Sequence, residues 1–360
     1  MALIEFKTKF NRLKVFLKVK GLRGVLLSTR ANYSWLSCGF TNRIRSDVEK
    51  GVASLWVTPK CVELWCNNIE ELRFKGEEAK GLPFKYRVHP WYEGANIPAL
   101  SRVASDDGAF GTKNLKDEIA QLRWSLTQEE TNRYRKVGKL SGEAMNVVAH
   151  KVKPGWTEQR VEAELSRELV LRGLEASVIL VGADERLKRY RHPLPTTHKI
   201  KKIVMMVICA KGYGLIANLT RVVHFGKIPT DLKHRHEACV RVECAMWHET
   251  VPGVGARDIF KAAEMEYGRQ GFPGEWKLHH QGGPTGYETR DYLATLNEKW
   301  EIQFNQAVAW NPSITGTKSE DTVLVTSGGL EVLTPTKGWP ILKVNYGGKK
   351  YDRPDILEKR

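Results

Sequence analysis

The residue types able to do chemistry in this 360-residue chain are six cysteines, ten histidines and 41 acidic side chains. The cysteines stand at 38, 61, 66, 209, 239 and 244. Cys61-x4-Cys66 and Cys239-x4-Cys244 lack the paired spacing with which thiolates close a tetrahedral zinc site. No His-Glu-x-x-His sequence occurs to place two imidazoles on one helix face. The thiols are too sparse for a secreted disulfide framework, so they read as reduced packing residues of a cytoplasmic protein. The densest basic run, Arg186 to Lys202, has Tyr190 as its one aromatic and matches no nucleic-acid-binding signature. Short motifs therefore do not declare a site, and the chemistry must come from residues that the fold assembles.

The elements that would assemble them fall into two groups. A hydrophobic fraction of 41% is ordinary for a globular protein, and no apolar run approaches the roughly 18 residues of a membrane span. The N-terminal segment alternates charged and apolar residues, which reads as an amphipathic helix near residues 9–20 and not as a signal peptide. A formal charge of +16 attracts anions, but the basic residues are dispersed, as on a solvated surface, and nucleic acid is not an expected partner. The buried-strand run Gly24-Val25-Leu26-Leu27 and strands near 52–57 and 61–66 make the first hundred residues an α/β unit. The Gly- and Asp-rich stretch from Ala104 to Asn114 has the composition of a linker or turn, which places a domain boundary near residue 120.

Beyond that boundary, Thr127 and Glu130 form a capping box opening a helix through about His150. Val161, Leu165 and Leu169 recur every four residues on a second helix that closes at Gly173. Strands are indicated at 203–209 and 215–223, helices at 232–251 and 256–269, and strands again at 307–311, 321–326 and 330–333. The class is α+β, and no internal repeat is present.

Five segments in order resemble those of the M24 peptidases, which include methionine aminopeptidase, aminopeptidase P, prolidase and creatinase. Pro154-Gly155 with Thr157-Glu158, and Arg191-His192-Pro193, are similar to two of them. Asn218-Leu219-Thr220-Arg221 is similar to the family's Asp-Ile-Thr-Arg, His280-Gln281-Gly282-Gly283 to its His-Gly-Ile-Gly, and Glu320-Asp321-Thr322-Val323-Leu324-Val325 to its Glu-Asp-Thr-Val-Leu-Val. Leu36-Ser37-Cys38-Gly39-Phe40 adds a likeness to the N-terminal domain of creatinase and prolidase. The resemblance implies a small α/β domain over residues 1–120, a pita-bread domain over 121–360, and a homodimer.

It also implies a damaged metal site. The family holds two divalent ions with two Asp, one His and two Glu. The first Asp position, eleven residues before Asn218, is Val207; the second is Asn218; one Glu position is Asn311, before Pro312. His280 and Glu320 alone match, too little to hold two cations and lower the pKa of a bound water. No metal or other cofactor is expected. Creatinase shows that the fold can hydrolyse a C–N bond without metal, using a histidine that His192 matches. An imidazole titrating near neutral pH can take a proton from water and return it to a departing nitrogen. His192, His280 and Glu320 are thus the catalytic candidates. Asn218, His279, Gln281, Tyr287, Asn311 and Ser313 are the candidate contacts to a small-molecule or dipeptide-like substrate. Two other readings stand beside this one: an Xaa-Pro aminopeptidase or dipeptidase with a degenerate metal site, and a non-catalytic binding protein.

Overall fold

A computed structural model describes residues 2–94 and 101–360. The chain forms two compact units, one comprising residues up to Arg133 with Tyr213–Leu215, the other Tyr134–Gly212 with Ile216–Arg360. Among the described residues no helix is long and apolar enough to cross a membrane.

The first unit is built on a six-stranded sheet in the order Lys85–His89, Val62–Asn67, Lys50–Val57, Gly24–Thr29, Val103–Ser105, Lys113–Asn114. Gly24–Thr29 is buried along its whole length, as the apolar run Gly24–Leu27 requires of a strand covered on both faces. The helix expected near 9–20 spans Ala2–Lys20. Its first turns escaped the apolar pattern because they bury charge: Lys9 Nζ lies 2.6 Å from Glu5 Oε1 and 2.9 Å from Glu130 Oε1. The stretch with linker composition carries two strands of the sheet instead. Its Asp106 accepts hydrogen bonds from Ser28 N, Thr29 N, Thr29 Oγ1 and Asn32 Nδ2 at 2.7–3.0 Å. An acid that satisfies four donors fixes a segment that composition alone describes as loose.

The helix Gln128–Lys151 opens on the expected box, with Thr127 N donating to Glu130 Oε2 at 2.8 Å and Glu130 N donating to Thr127 Oγ1 at 3.3 Å. Thr157 caps the helix Glu158–Leu171 by accepting from Arg160 N, and Val161, Leu165 and Leu169 are fully buried. In the second unit the helices Thr230–Glu249 and Ala256–Arg269 share a core with the sheet Gly282–Thr285, Ala307–Trp310, Asp321–Thr326, Gly329–Val332; Val242, Met246, Ile259, Trp310 and Val323 meet there. A second sheet runs Leu357–Lys359, Leu215–Phe225, Ile203–Gly212, Glu175–Ala183.

Helix Gln128–Lys151 approaches backbone very closely at Gly138, where a Cβ would lie 2.1 Å from the Leu333 carbonyl oxygen. Alanine ordinarily strengthens a helix interior by about 1 kcal/mol relative to glycine. Here the clash is with backbone and outweighs propensity, so Gly138→Ala is expected to destabilise by about 1–3 kcal/mol. Urea denaturation checks the sign; a stabilised variant would contradict the packing.

Candidate active site

Strand register brings the chemistry to one sheet end. Gly282 pairs with Trp310, and Trp310 with Asp321. One step further along the same rungs lie Gln281, Asn311 and Glu320, and Asn311 N donates to Gln281 O at 3.1 Å. The second sheet is stitched to this end. Thr220 N donates to Glu320 O at 3.1 Å, and Asn218 N donates to Thr322 Oγ1 at 2.7 Å. Gly282 has φ +90°, and a Cβ there would sit 2.2 Å from Ala309 O, so the turn after His280-Gln281 needs glycine.

Three imidazoles converge, with one ligand atom from each of His192, His279 and His280 lying within 4.8 Å of the others. The Nε2 atoms of His279 and His192 are 3.0 Å apart. His279 Nδ1 lies 3.2 Å from Ser313 Oγ, which accepts from Arg191 Nη1 at 3.2 Å. Arg191 is itself fixed by an ion pair with Glu275 and by Thr315 Oγ1 at 2.9 Å. His280 Nδ1 accepts from Gly282 N at 3.2 Å, so the neutral ring carries its proton on Nε2. His192 is exposed, His280 partly buried and His279 buried.

All three rings are held toward the neutral form. Partial shielding of the His192 ring and then Lys318 push it down, with Glu320 opposing. Burial, Arg290 and Lys318 bring His280 to about 4. Burial, with Lys318 next, takes His279 far below the ordinary imidazole range.

Glu320 is almost fully enclosed, and its carboxylate meets two cations: Lys318 Nζ at 2.8 Å and Arg290 Nη2 at 2.8 Å. Thr220 Oγ1 donates to it at 2.7 Å. Burial pushes this carboxyl up, but Lys318 and Arg290 outweigh burial and bring it to about 2.

Sequence reasoning missed both cations. Lys318 had a usable signal, since a residue two before Glu320 in an extended segment shares its face. Arg290, 30 residues away, had none.

The remaining candidates are placed as follows. Asn218 donates from Nδ2 to Thr285 Oγ1 at 3.1 Å, while its Oδ1 has no hydrogen-bond partner. Asn311 Oδ1 is likewise unpartnered, and both residues are at most 2% exposed. Gln281 accepts from Tyr267 at 2.9 Å and donates to His279 O at 2.6 Å. Ser313 touches His279, as above, and Tyr287 is buried.

Residues 132–327, more than half of the chain, match the sequence pattern of metallopeptidase family M24. The chain belongs to that family. It is a family of hydrolases, and this M24 protein has relatives described only as uncharacterized peptidases. One, from Staphylococcus aureus, is 23% identical over 236 residues, 63% of this chain and 66% of its own, so the match spans just under two thirds of that relative. Another, from Staphylococcus epidermidis, is 21% identical over 353 residues, covering 88% of this chain and 98% of the relative. A solved Xaa-Pro dipeptidase from Bacillus anthracis superposes with a TM-score of 0.78 at 16% identity, over 98% of this chain and 100% of the other. At that identity the likeness shows the two-domain pita-bread fold.

The family's pair of metals does not fit the residues of this M24 protein. Val207 is packed with Leu180, Leu187, Met205, Val222 and Ile356 and brings no ligand atom. Asn218 and Asn311 are uncharged, and Glu320 is already neutralised by an ammonium and a guanidinium. A closely spaced pair of divalent ions needs anionic ligands to offset its charge, and two cations beside the one remaining carboxylate oppose it. The three imidazoles do not replace the lost set. They bring no anionic oxygen, and Nε2 of His192 already faces Nε2 of His279 at 3.0 Å while His280 Nδ1 accepts from Gly282 N.

Proposed function

We propose that this M24 protein is a metal-independent hydrolase of a C–N bond in a small, dipeptide-like molecule. The observation that carries the reading is the placement of Lys318 and Arg290, each 2.8 Å from Glu320, where two fixed cations stand in for the charge of metal ions. Fixed cations hold an anionic substrate group beside the histidines without a metal, and the His280 Nε2–H meets the negative charge developing on the carbonyl oxygen.

In this reading His192 is the general base. With Nε2 held against His279, its Nδ1 takes a proton from a water whose oxygen attacks the carbonyl carbon. His280 donates from Nε2–H to the carbonyl oxygen. The C–N bond then breaks and the proton on His192 passes to the departing nitrogen, restoring the neutral ring. His279 and Ser313 orient His192, and Glu320 orients the two cations. The reading extends to a cytoplasmic homodimer with domains over residues 1–120 and 121–360; sedimentation of the purified protein checks the dimer.

The deciding experiment combines metal analysis with turnover. Protein purified without chelator is expected to carry far less than one metal per chain and to hydrolyse a member of a panel of dipeptides and acylated amino acids. That rate should be the same with and without a chelator. Stoichiometric manganese, cobalt or zinc whose removal abolishes turnover would sink the reading in favour of an Xaa-Pro peptidase with a rebuilt metal site. Turnover of no panel member would favour a binding role.

A further inference from the structure

The charges around Glu320 do not balance. Lys318 and Arg290 contribute two positive charges and Glu320 one negative, and among the described residues the ion pairs of both cations are with Glu320 alone. Two neighbouring groups of charges are already matched. Arg191 pairs with Glu275, and Asp321 lies 2.8 Å from both Arg221 and Arg353, of which Arg353 also meets Glu243 at 2.7 Å. Lys318 is only 4% exposed. Two buried cations sharing one carboxylate leave a positive charge uncompensated, so the resting site favours an anion.

A second, independent feature restricts which anion. Asn218 and Asn311 each hold an unpartnered, buried side-chain oxygen. Asn218 lies two residues from Thr220 on one strand and so shares the face on which Thr220 touches Glu320. Asn311 is joined by its amide to Gln281, the neighbour of His280. Buried acceptors of this kind call for N–H donors on a ligand. No carboxylate remains at either position to hold an ammonium group.

We infer that this site takes an amide-bearing carboxylic acid with no free amine, an acylated amino acid, its carboxylate on Lys318 and Arg290 and its one N–H shared by the Asn218 and Asn311 oxygens. The inference rests on the proposed metal-free reading and names the substrate class of that site. It separates this chain from peptidases that need a free N-terminal amine: an ammonium entering here meets excess positive charge. The hydrolysed bond is then the acyl C–N bond, with water supplying OH to the acyl carbon and H to the nitrogen.

Equilibrium titration calorimetry tests it with three probes of similar size: N-acetylglycine, the neutral N-acetylglycinamide and the cationic glycinamide. The acid is expected to bind saturably and at least about tenfold more tightly than the neutral amide, with no binding of the cation. Lys318→Gln and Arg290→Gln should each erase the preference for acid over amide. Where a variant does not fold, the wild-type comparison decides by itself. Equal or tighter binding of either uncharged or cationic probe, or no saturable binding of the acid at tens of millimolar, overturns the inference. Each titration is repeated in chelator. Acid binding that vanishes with the metal sinks the metal-free reading, whereas a missing acid preference that chelator does not alter sinks this inference alone.

Discussion

Replacing His192 by alanine is expected to lower kcat by about 10²–10⁴-fold with little change in KM, the range for loss of a general acid–base group. The side chain is exposed, so the variant should keep its fold and its urea midpoint. A structural histidine would give the opposite pattern, with altered stability and proportionate loss of binding. The pH profile supplies a second check. The ring acts as a base only when neutral, so activity is lost as pH falls through its pKa. Partial shielding of the ring and Lys318 push that pKa below the ordinary 6.5, with Glu320 opposing. The acidic limb of the kcat profile should therefore lie below pH 6.5, and activity should be level near neutrality. Lys318→Met removes a cation facing the ring and should move the limb upward. A limb that stays in place in that variant means the titrating group is not His192.

Sequence patterns served well where burial is one-sided and local. The strand Asp321–Thr326 and the helix Ala256–Arg269 have the bounds that their periodicity implies, because each faces a shared core with residues such as Val323 and Ile259. The strand Glu175–Ala183 was not anticipated. Its first half is exposed or half-buried and only its last four residues are buried, so neither alternation nor a long apolar run marks it. The hairpin Ile341–Tyr346 with Lys349–Pro354 is equally silent, with Val344 the one buried residue of its first strand. At the site, the positions of lost carboxylates were legible as Val207, Asn218 and Asn311, and the resemblance singled out His192, His280 and Glu320, with His279 among the substrate contacts. What replaced the lost chemistry was not legible. The pairing of Arg290 with Glu320 joins residues 30 apart through a loop and a strand end, and no period in the sequence encodes it.

That pairing makes Glu320 the position where the two accounts of the site diverge most. If Glu320 were one of a set of metal-binding acids, neutralising it would relieve repulsion in the metal-free protein, and Glu320→Gln would be neutral or stabilising. As the anchor between Lys318 and Arg290 it behaves otherwise. Its loss leaves two cations enclosed without a counter-ion, and Glu320→Gln is expected to destabilise by about 3–5 kcal/mol. The double variant Glu320→Gln with Lys318→Met removes one charge of each sign and should regain part of that loss, a coupling that a double-mutant cycle in urea measures directly. The same interaction fixes an acid dependence. The carboxyl is lowered from 4.5 to about 2 in the folded protein, so its contribution is fully present above about pH 4.5 and is lost as pH falls toward 2. Wild-type stability should therefore decline through that window, and Glu320→Gln should lack that component of the decline. Equal urea midpoints for wild type and Glu320→Gln at neutral pH would remove the ion-pair anchor, and with it the argument that fixed cations have taken the place of metal.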